Sequence, residues 1–409
     1  MTIGETEPHR ARAWRTGRWV SALLLALALL PAVPGRGRAA NPMVDPQMFN
    51  QNDLRAIGMG NAFGAVARGE NALVYNPAGL AQTNLGVKVE YGITLAGSPK
   101  FLGDTYALMG GSGFSAPGML NYLNSYAGTT QSLLVQTFLS GVVNMGQVGF
   151  GAGYGSLATD RFNFAFGPAS NLSLDPTAQH MGTDVGAAAF KLFQGKVILG
   201  VAGKTLAYSE QSMSQPLSLA TLLTSSSLKL TFNKSSYPTQ ATYDAGILYR
   251  SEAWSALRPQ WSFVAFNVPS VTFKGTNSKG VASQVEVQPS YNLGLSMSPK
   301  WPLVHLLFAA ELEDLGSAIK LDPAGTIARS AEQRTHFGLE LGFLETPFGN
   351  NVLSARAGSN RGLFTYGYEV NLWSYLRLVY AKGQDDLGWE GAPNVVDFEA
   401  YQLALAIAW

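Results

Sequence analysis

The chain has 409 residues, only 13% of them charged, with 28 basic and 27 acidic side chains, 45 glycines and no cysteine. A typical soluble domain carries about 25% charged residues and about 7% glycine, so this balance disfavours a soluble helical bundle, and the missing cysteines exclude disulfides and thiolate metal sites. Beyond residue 40 no stretch holds the ~18 consecutive apolar residues of a membrane helix, which leaves a dry soluble core or a membrane barrel whose signal is spread over many short strands.

In chain order, residues 1–40 read as a secretory signal peptide. Arg10, Arg12, Arg15 and Arg18 precede the apolar run VSALLLALALLPAV, residues 20–33, which is too short to span a bilayer. Gly37 and Ala39 supply a small-x-small cleavage signal, placing the mature start near Ala40 or Asn41. An uncleaved anchor helix is the alternative. The leader takes six Arg and two Glu, leaving 22 basic and 25 acidic residues and a net charge of −3. With no basic run, nothing points to a nucleic-acid partner.

Residues 41–84 are expected to form a plug, or hatch, folded into a barrel lumen. Glycines at 58, 60, 64 and 69 are too frequent for a stable helix. The run NALVY allows one short helical turn, which Pro77 ends by forcing Asn76 into an extended conformation. Gly79 adds another sharp bend.

From residue 85 to 409 the pattern is period two, the mark of strands with unlike faces. In GVKVEYGITL, Val87, Val89, Tyr91, Ile93 and Leu95 oppose Lys88, Glu90, Gly92 and Thr94. In THFGLELGFL, Phe337, Leu339, Leu341 and Phe343 oppose His336, Gly338, Glu340 and Gly342, and FTYGYEVNL repeats the arrangement around Glu369. A carboxylate inside a strand needs water or a partner on its side, and apolar outside with polar inside is the rule for a barrel in lipid. Strands are expected near 85–95, 146–155, 161–167, 183–193, 196–208, 241–250, 259–267, 284–297, 303–313, 335–343, 351–358, 363–372, 374–381 and 398–409, about fourteen in all. The intervening segments then alternate between long and short, as in outer-membrane barrels. In the long segment 101–145 the run NYLNSYAGTTQSLLVQTFL, residues 121–139, suggests one or two short helices lying over the barrel mouth, with a flexible surface loop as the alternative. Pro289 interrupts the strand 284–297, either as a local opening in the wall or as a bulge near the membrane interface. The last strand ends EAYQLALAIAW, with Tyr401, Leu403, Leu405, Ile407 and Trp409 on one face, the pattern of a closing strand read by barrel-insertion machinery.

The run RAIGMGNAFGAVARGENALVYNPAGLA closely resembles the hatch signature of the FadL-like outer-membrane barrels, which couples a "GMGGAF" element to an "NPAGL" element. The matching positions include Gly58, Gly60 and Phe63 in the first element and Asn76, Pro77 and Gly79 in the second, with Asn61 where the family usually has Gly. Segments within 335–381 resemble the closing hairpins of a related branch that includes the surface barrel of type IX secretion. The resemblance implies an all-β, transmembrane antiparallel barrel of fourteen strands with a plugged lumen. For the transport branch it also implies diffusive uptake of hydrophobic molecules such as long-chain fatty acids or aromatic hydrocarbons.

Three His remain after the leader, His180, His305 and His336, without metal-ligand spacing, and no nucleotide, zinc or hydrolase motif is present. No cofactor, metal or enzymatic activity is expected. The expected partners are outer-membrane lipid, a hydrophobic small molecule and the barrel-insertion machinery. The leading function is an outer-membrane channel for hydrophobic molecules in a Gram-negative bacterium. The alternative is a non-transporting barrel serving as an anchor or partner in protein secretion or envelope assembly.

Overall fold

The computed structural model describes residues 53–82, 86–110, 116–146, 149–168, 173–213, 217–218, 232–252, 254–299, 301, 304–316, 330–345, 351–372, 375–386 and 395–408. The leader and Trp409 lie outside them, as does most of the segment between 214 and 231.

Among the described residues fourteen antiparallel strands follow one another around a barrel. They are β1 (Gly86–Gly97), β2 (Thr130–Met145), β3 (Phe150–Phe166), β4 (Ser173–Leu192), β5 (Val197–Met213), β6 (Gln240–Arg250) and β7 (Gln260–Val268). Then come β8 (Ser290–Met297), β9 (Val304–Leu312), β10 (Thr335–Glu345), β11 (Asn351–Asn360), β12 (Leu363–Leu372), β13 (Leu376–Asp386) and β14 (Val395–Ala408). The barrel closes where β1 pairs β14, from Lys88 opposite Ala408 to Gly97 opposite Glu399. Closure removes the unpaired edges that an open sheet cannot carry into lipid.

The pleat sorts side chains as the alternation requires. On β14, Tyr401, Leu403, Leu405 and Ile407 are 45–63% exposed, while Gln402, Ala404 and Ala406 face inward and are buried. On β1, Val89, Tyr91, Ile93 and Leu95 point out, and Glu90 and Thr94 point in. The outward face is therefore apolar, the arrangement of a transmembrane barrel. One rim carries the connections 146–149, 193–196, 251–259, 298–303, 346–350 and 373–375. Phe193, Trp254 and Tyr375 are exposed there, as in an interfacial aromatic girdle.

Four sequence-based expectations are corrected. Residues 130–145, taken as part of a long loop, form β2, and 146–155 with 161–167 are one strand, β3. The two errors cancel in the strand count. The inner face of β2 mixes Phe138 and Val142, packed on the inner segment, with buried Gln136, Ser140 and Asn144, while its outer face carries Thr137 and Gly141, so the two-sided contrast that identifies a strand is weak there. In β3 the polar run at Asp160 and Arg161 resembles a turn, but Asp160 pairs with His180 of β4 at 2.8 Å on the outer face. These strands have 17 and 20 residues, whereas about 9–11 cross a bilayer, so their polar ends stand clear of it.

The third correction concerns 284–297. Ala282–Val287 pairs with Val271–Thr276 in a separate hairpin, and only Ser290–Met297 belongs to the wall. Pro289 lies at the junction between the two, so it does not kink a wall strand. The hairpin turns Val285 and Val287 away from lipid, onto the inward-facing Met181, Leu206 and Tyr208 of β4 and β5. Of the run 121–139 expected to be helical, only 121–125 is, at the end of α4 (Ala116–Ser125); 130–139 belongs to β2, and a second helix, α3, covers Pro99–Gly110. Phe101 and Leu123 of these helices, with Tyr126 just after α4, pack on Phe166, and Phe164 joins the cluster. Both phenylalanines share the outward parity of Tyr154, so the helices lean on the flank of the wall rather than over its mouth.

Candidate functional site: the inner segment and the lumen

Residues 53–82 fill part of the lumen. Helix α1 (Leu54–Gly58) packs on β11 to β14, and the 3-10 stretch Pro77–Gln82 packs on β2 to β6 across the barrel. Between them α2 (Ala72–Tyr75) is the short turn expected from NALVY, and Asn76 is extended before Pro77, with φ −165° and ψ 104°.

Wall glycines receive the segment at close quarters. Any Cβ on Gly358 would meet the Gly60 backbone, on Gly338 and Gly367 the Met59 and Gly58 backbone, and on Gly200 the backbone of Pro77 and Ala78. Gly79 itself passes against the Ala67 carbonyl. Gly60 and Asn61 have φ of 62° and 63°, a conformation glycine adopts freely and asparagine tolerates, which explains Asn61 at a position the resemblance assigns to Gly. Asn76 ties the loop together: its Nδ2 donates to Gly64 O at 2.8 Å and its Oδ1 accepts from Ala78 N at 3.1 Å. Phe63 is fully buried, edge-on to Tyr75 at 5.0 Å between centroids. The sequence-predicted residues are thus divided between opposite walls, Gly58, Gly60 and Phe63 on one side and Asn76, Pro77 and Gly79 on the other.

The two flanks of the lumen differ chemically. On the flank of β8 to β14 and β1 the inner segment is held by charge. Arg55 makes a bidentate pair with Glu340, donating at 2.7 and 2.8 Å. Arg356 donates to the same carboxylate at 2.6 Å and to Glu369 at 2.6 Å. Arg377 bridges Asp53 at 3.0 Å and Glu90 at 2.5 Å, and Lys88 joins Glu90 at 2.7 Å to Glu70 at 2.8 Å. Burial alone would raise the Asp53 carboxyl, but the Arg377 guanidinium and the Arg55 N–H hold it below the ordinary aspartate value. Glu70 is raised, by burial first and then by the neighbouring Glu90. Glu311 of β9 accepts the Phe63 and Gly64 N–H groups at 3.0 and 2.7 Å. His336 has Nδ1 donating to Gly60 O at 2.9 Å and Nε2 lying 3.0 Å from Glu313. Such charge-assisted bonds are the strong ones; those of Asp53, Arg55, Glu70 and the Phe63 and Gly64 N–H groups fix the inner segment to the wall, and the others tie wall strands together around them.

The opposite flank carries an apolar band set among buried Gln136, Ser140, Thr159, Thr183 and Thr242. Leu73, Val74 and Leu80 of the inner segment pack on Phe138, Val142, Leu157, Val185, Ile198 and Leu248 of β2 to β6. Along β4 and β5 this surface continues outward through Ala189, Ala202 and Val185 to Met181, Leu206 and Tyr208 under the hairpin. Lys204 interrupts it on β5, but its ammonium turns aside to Asp244 and Asn267, both at 2.8 Å. Toward the short-connection rim a cavity of about 1320 Å³ opens between the inner segment at Ala65–Arg68 and Gln82 and the ends of β6 to β11.

Sequence reasoning placed Glu90, Glu340 and Glu369 on the inner face and left their partners open. Asp53, Arg55, Arg356 and Arg377 were not anticipated. For Arg356 and Arg377 the signal in the sequence is a cation at an inward position of a strand, whereas Asp53 and Arg55 lie at the start of helix α1, where no alternation marks them.

A closed fourteen-strand barrel filled by its own N-terminal segment defines a class, the plugged transmembrane barrels. Within it the fold is FadL-like. A mutant of the monoaromatic hydrocarbon channel TodX superposes with a TM-score of 0.50 at 10% identity, over 87% of this chain and 98% of that one. The toluene transporter TbuX of Ralstonia pickettii gives 0.49 at 11% identity, over 88% and 98%, and a FadL homologue of Pseudomonas aeruginosa gives 0.44 at 11%, over 88% and 98%. No protein-family model and no curated protein sequence matches the chain.

Proposed function

We propose that this protein is an outer-membrane channel through which hydrophobic small molecules diffuse into the envelope of a Gram-negative bacterium. The observation that carries the reading is the apolar inner flank from Met181, Leu206 and Tyr208 to Val185, Ile198 and Leu80. A porin lumen is polar and water-filled, whereas this flank favours a solute that leaves water, at about 25 cal/mol per Å² of apolar surface buried. The FadL-like fold and the cargo of its neighbours, monoaromatic hydrocarbon and toluene by their descriptions, point the same way. In this reading the long connections face outside, and solute enters beside the inward hairpin and descends along β4 and β5. Gly58, Gly60, Phe63, Asn76, Pro77 and Gly79 form the hatch that it must pass. Residues 1–40 are the export signal, 41–84 the hatch region and 85–409 the barrel, whose partners are membrane lipid and the insertion machinery. The test is uptake of radiolabelled toluene and oleate by a host lacking its own hydrophobic-compound channel. Uptake above the empty vector is expected for at least one of them, and about tenfold less for Met181→Asp with Val185→Asp, since 1.4 kcal/mol is tenfold. Uptake no better than vector across the panel, with the barrel fully assembled, overturns the reading in favour of an anchoring or secretion role.

A further inference from the structure

The cavity on the short-connection rim does not match the apolar flank. Three guanidinium side chains border it: Arg68 from the inner segment, Arg250 at the end of β6 and Arg258 in the following turn. Among the lining residues described, Glu252 is the one carboxylate, and Lys196 already holds it at 2.9 Å. Arg250 donates to the side-chain oxygens of Gln260 and Gln82, each at 3.1 Å, and both are neutral amides that leave its charge uncompensated. Glu340 approaches His305 at 4.0 Å, but it is occupied by Arg55 and Arg356. Trp301 stands 59% exposed among the lining residues.

We propose that this chamber is a docking site for an extended acidic segment of a periplasmic protein. Its volume of about 1320 Å³ exceeds the roughly 300–1,000 Å³ of small-molecule pockets. It opens among turns rather than inside the apolar flank. Guanidinium groups suit successive carboxylates because each presents a planar fork of donors. Trp301 supplies an aromatic anchor beside them, the pairing of Trp with Arg that recurs at interface hot spots. The proposal rests on the orientation given above, with short connections toward the periplasm, and is independent of the cargo.

The experiment uses the full-length barrel in nanodiscs and a fluorescein-labelled Glu-rich peptide carrying one Leu, read by fluorescence anisotropy. Saturable binding is expected, weakening with added salt because exposed charges are screened. Arg258→Gln should weaken it several-fold, and Arg250→Gln with Arg258→Gln by more than about tenfold, or 1.4 kcal/mol. Arg258 is an exposed turn residue, and heat-modified gel mobility confirms that each variant is a folded barrel. Binding that the Gln substitutions leave unchanged, an all-Gln peptide that binds as well, or complete displacement by inorganic phosphate or octanoate each overturns the proposal. None of these outcomes bears on toluene or oleate uptake.

Discussion

Glu340 shows how a single inward carboxylate can organise the lumen. It accepts from Arg55 of the inner segment and from Arg356 of the adjacent strand, and it is fully buried. Removing one partner of such a group leaves charge uncompensated, at a cost of about 3–5 kcal/mol. Glu340→Gln should therefore loosen residues 53–82 ahead of the barrel, seen as faster proteolysis of this segment in detergent with heat-modified mobility retained. Wild-type protease resistance would show that the pair does not hold the segment. Asp53 gives a matching dependence on pH. Its folded carboxyl is held below the ordinary value, so its contribution is complete above the normal aspartate range and is lost as pH falls through the lowered value. Asp53→Asn should melt several degrees below the wild type at pH 7, with the gap closing in acid. A gap that persists unchanged to the lowest accessible pH would contradict the Arg377–Asp53 assignment. The inward side of Glu340 was readable from alternation, but Arg55 lies 285 positions away, and nothing local in the sequence encodes that encounter.

At the level of elements, what alternation revealed depended on how different the two faces are. Strand β14 is unmistakable because Tyr401, Leu403, Leu405 and Ile407 face lipid while small or polar residues face in. Strand β2 is hard to read because Phe138 and Val142 stand among Gln136, Ser140 and Asn144 on its inner face, and Thr137 and Gly141 interrupt the outer one, which blurs its period. The hairpin Val271–Thr276 with Ala282–Val287 was taken for wall because it has the same alternation as a membrane strand, although its solvent is the protein. The hatch motifs were legible since their glycines and Asn76–Pro77 dictate backbone shape locally, as the extended Asn76 bears out. Two substitutions probe the closing strand. Leu405→Arg puts a cation on the lipid face at about 2–4 kcal/mol near the midplane, and should lower the amount of assembled barrel, measured by heat-modified mobility of outer-membrane fractions. Trp409→Asp should lower assembly as well, through the terminal recognition pattern. Normal yields of the first would place Leu405 outside hydrocarbon, and normal yields of the second would remove the terminal aromatic from the assembly signal.

For the whole molecule, one sheet separates two unlike sides: an apolar outer face, and a lumen that is ionic on one flank and carries an apolar band on the other. The ionic flank anchors the inner segment, so the apolar flank is where that segment can part from the wall with fewest charges exposed. Both the proposed passage and the basic chamber presuppose this arrangement of the faces. The direct measurement is electron paramagnetic resonance of single spin labels at each position from 399 to 408 in lipid bilayers, comparing relaxation by oxygen and by a water-soluble nickel complex. Oxygen accessibility should peak at 401, 403, 405 and 407 and fall at the positions between, with a period of two. A flat profile, or one with its maxima at 402, 404 and 406, would contradict a transmembrane barrel whose outward face is the one described.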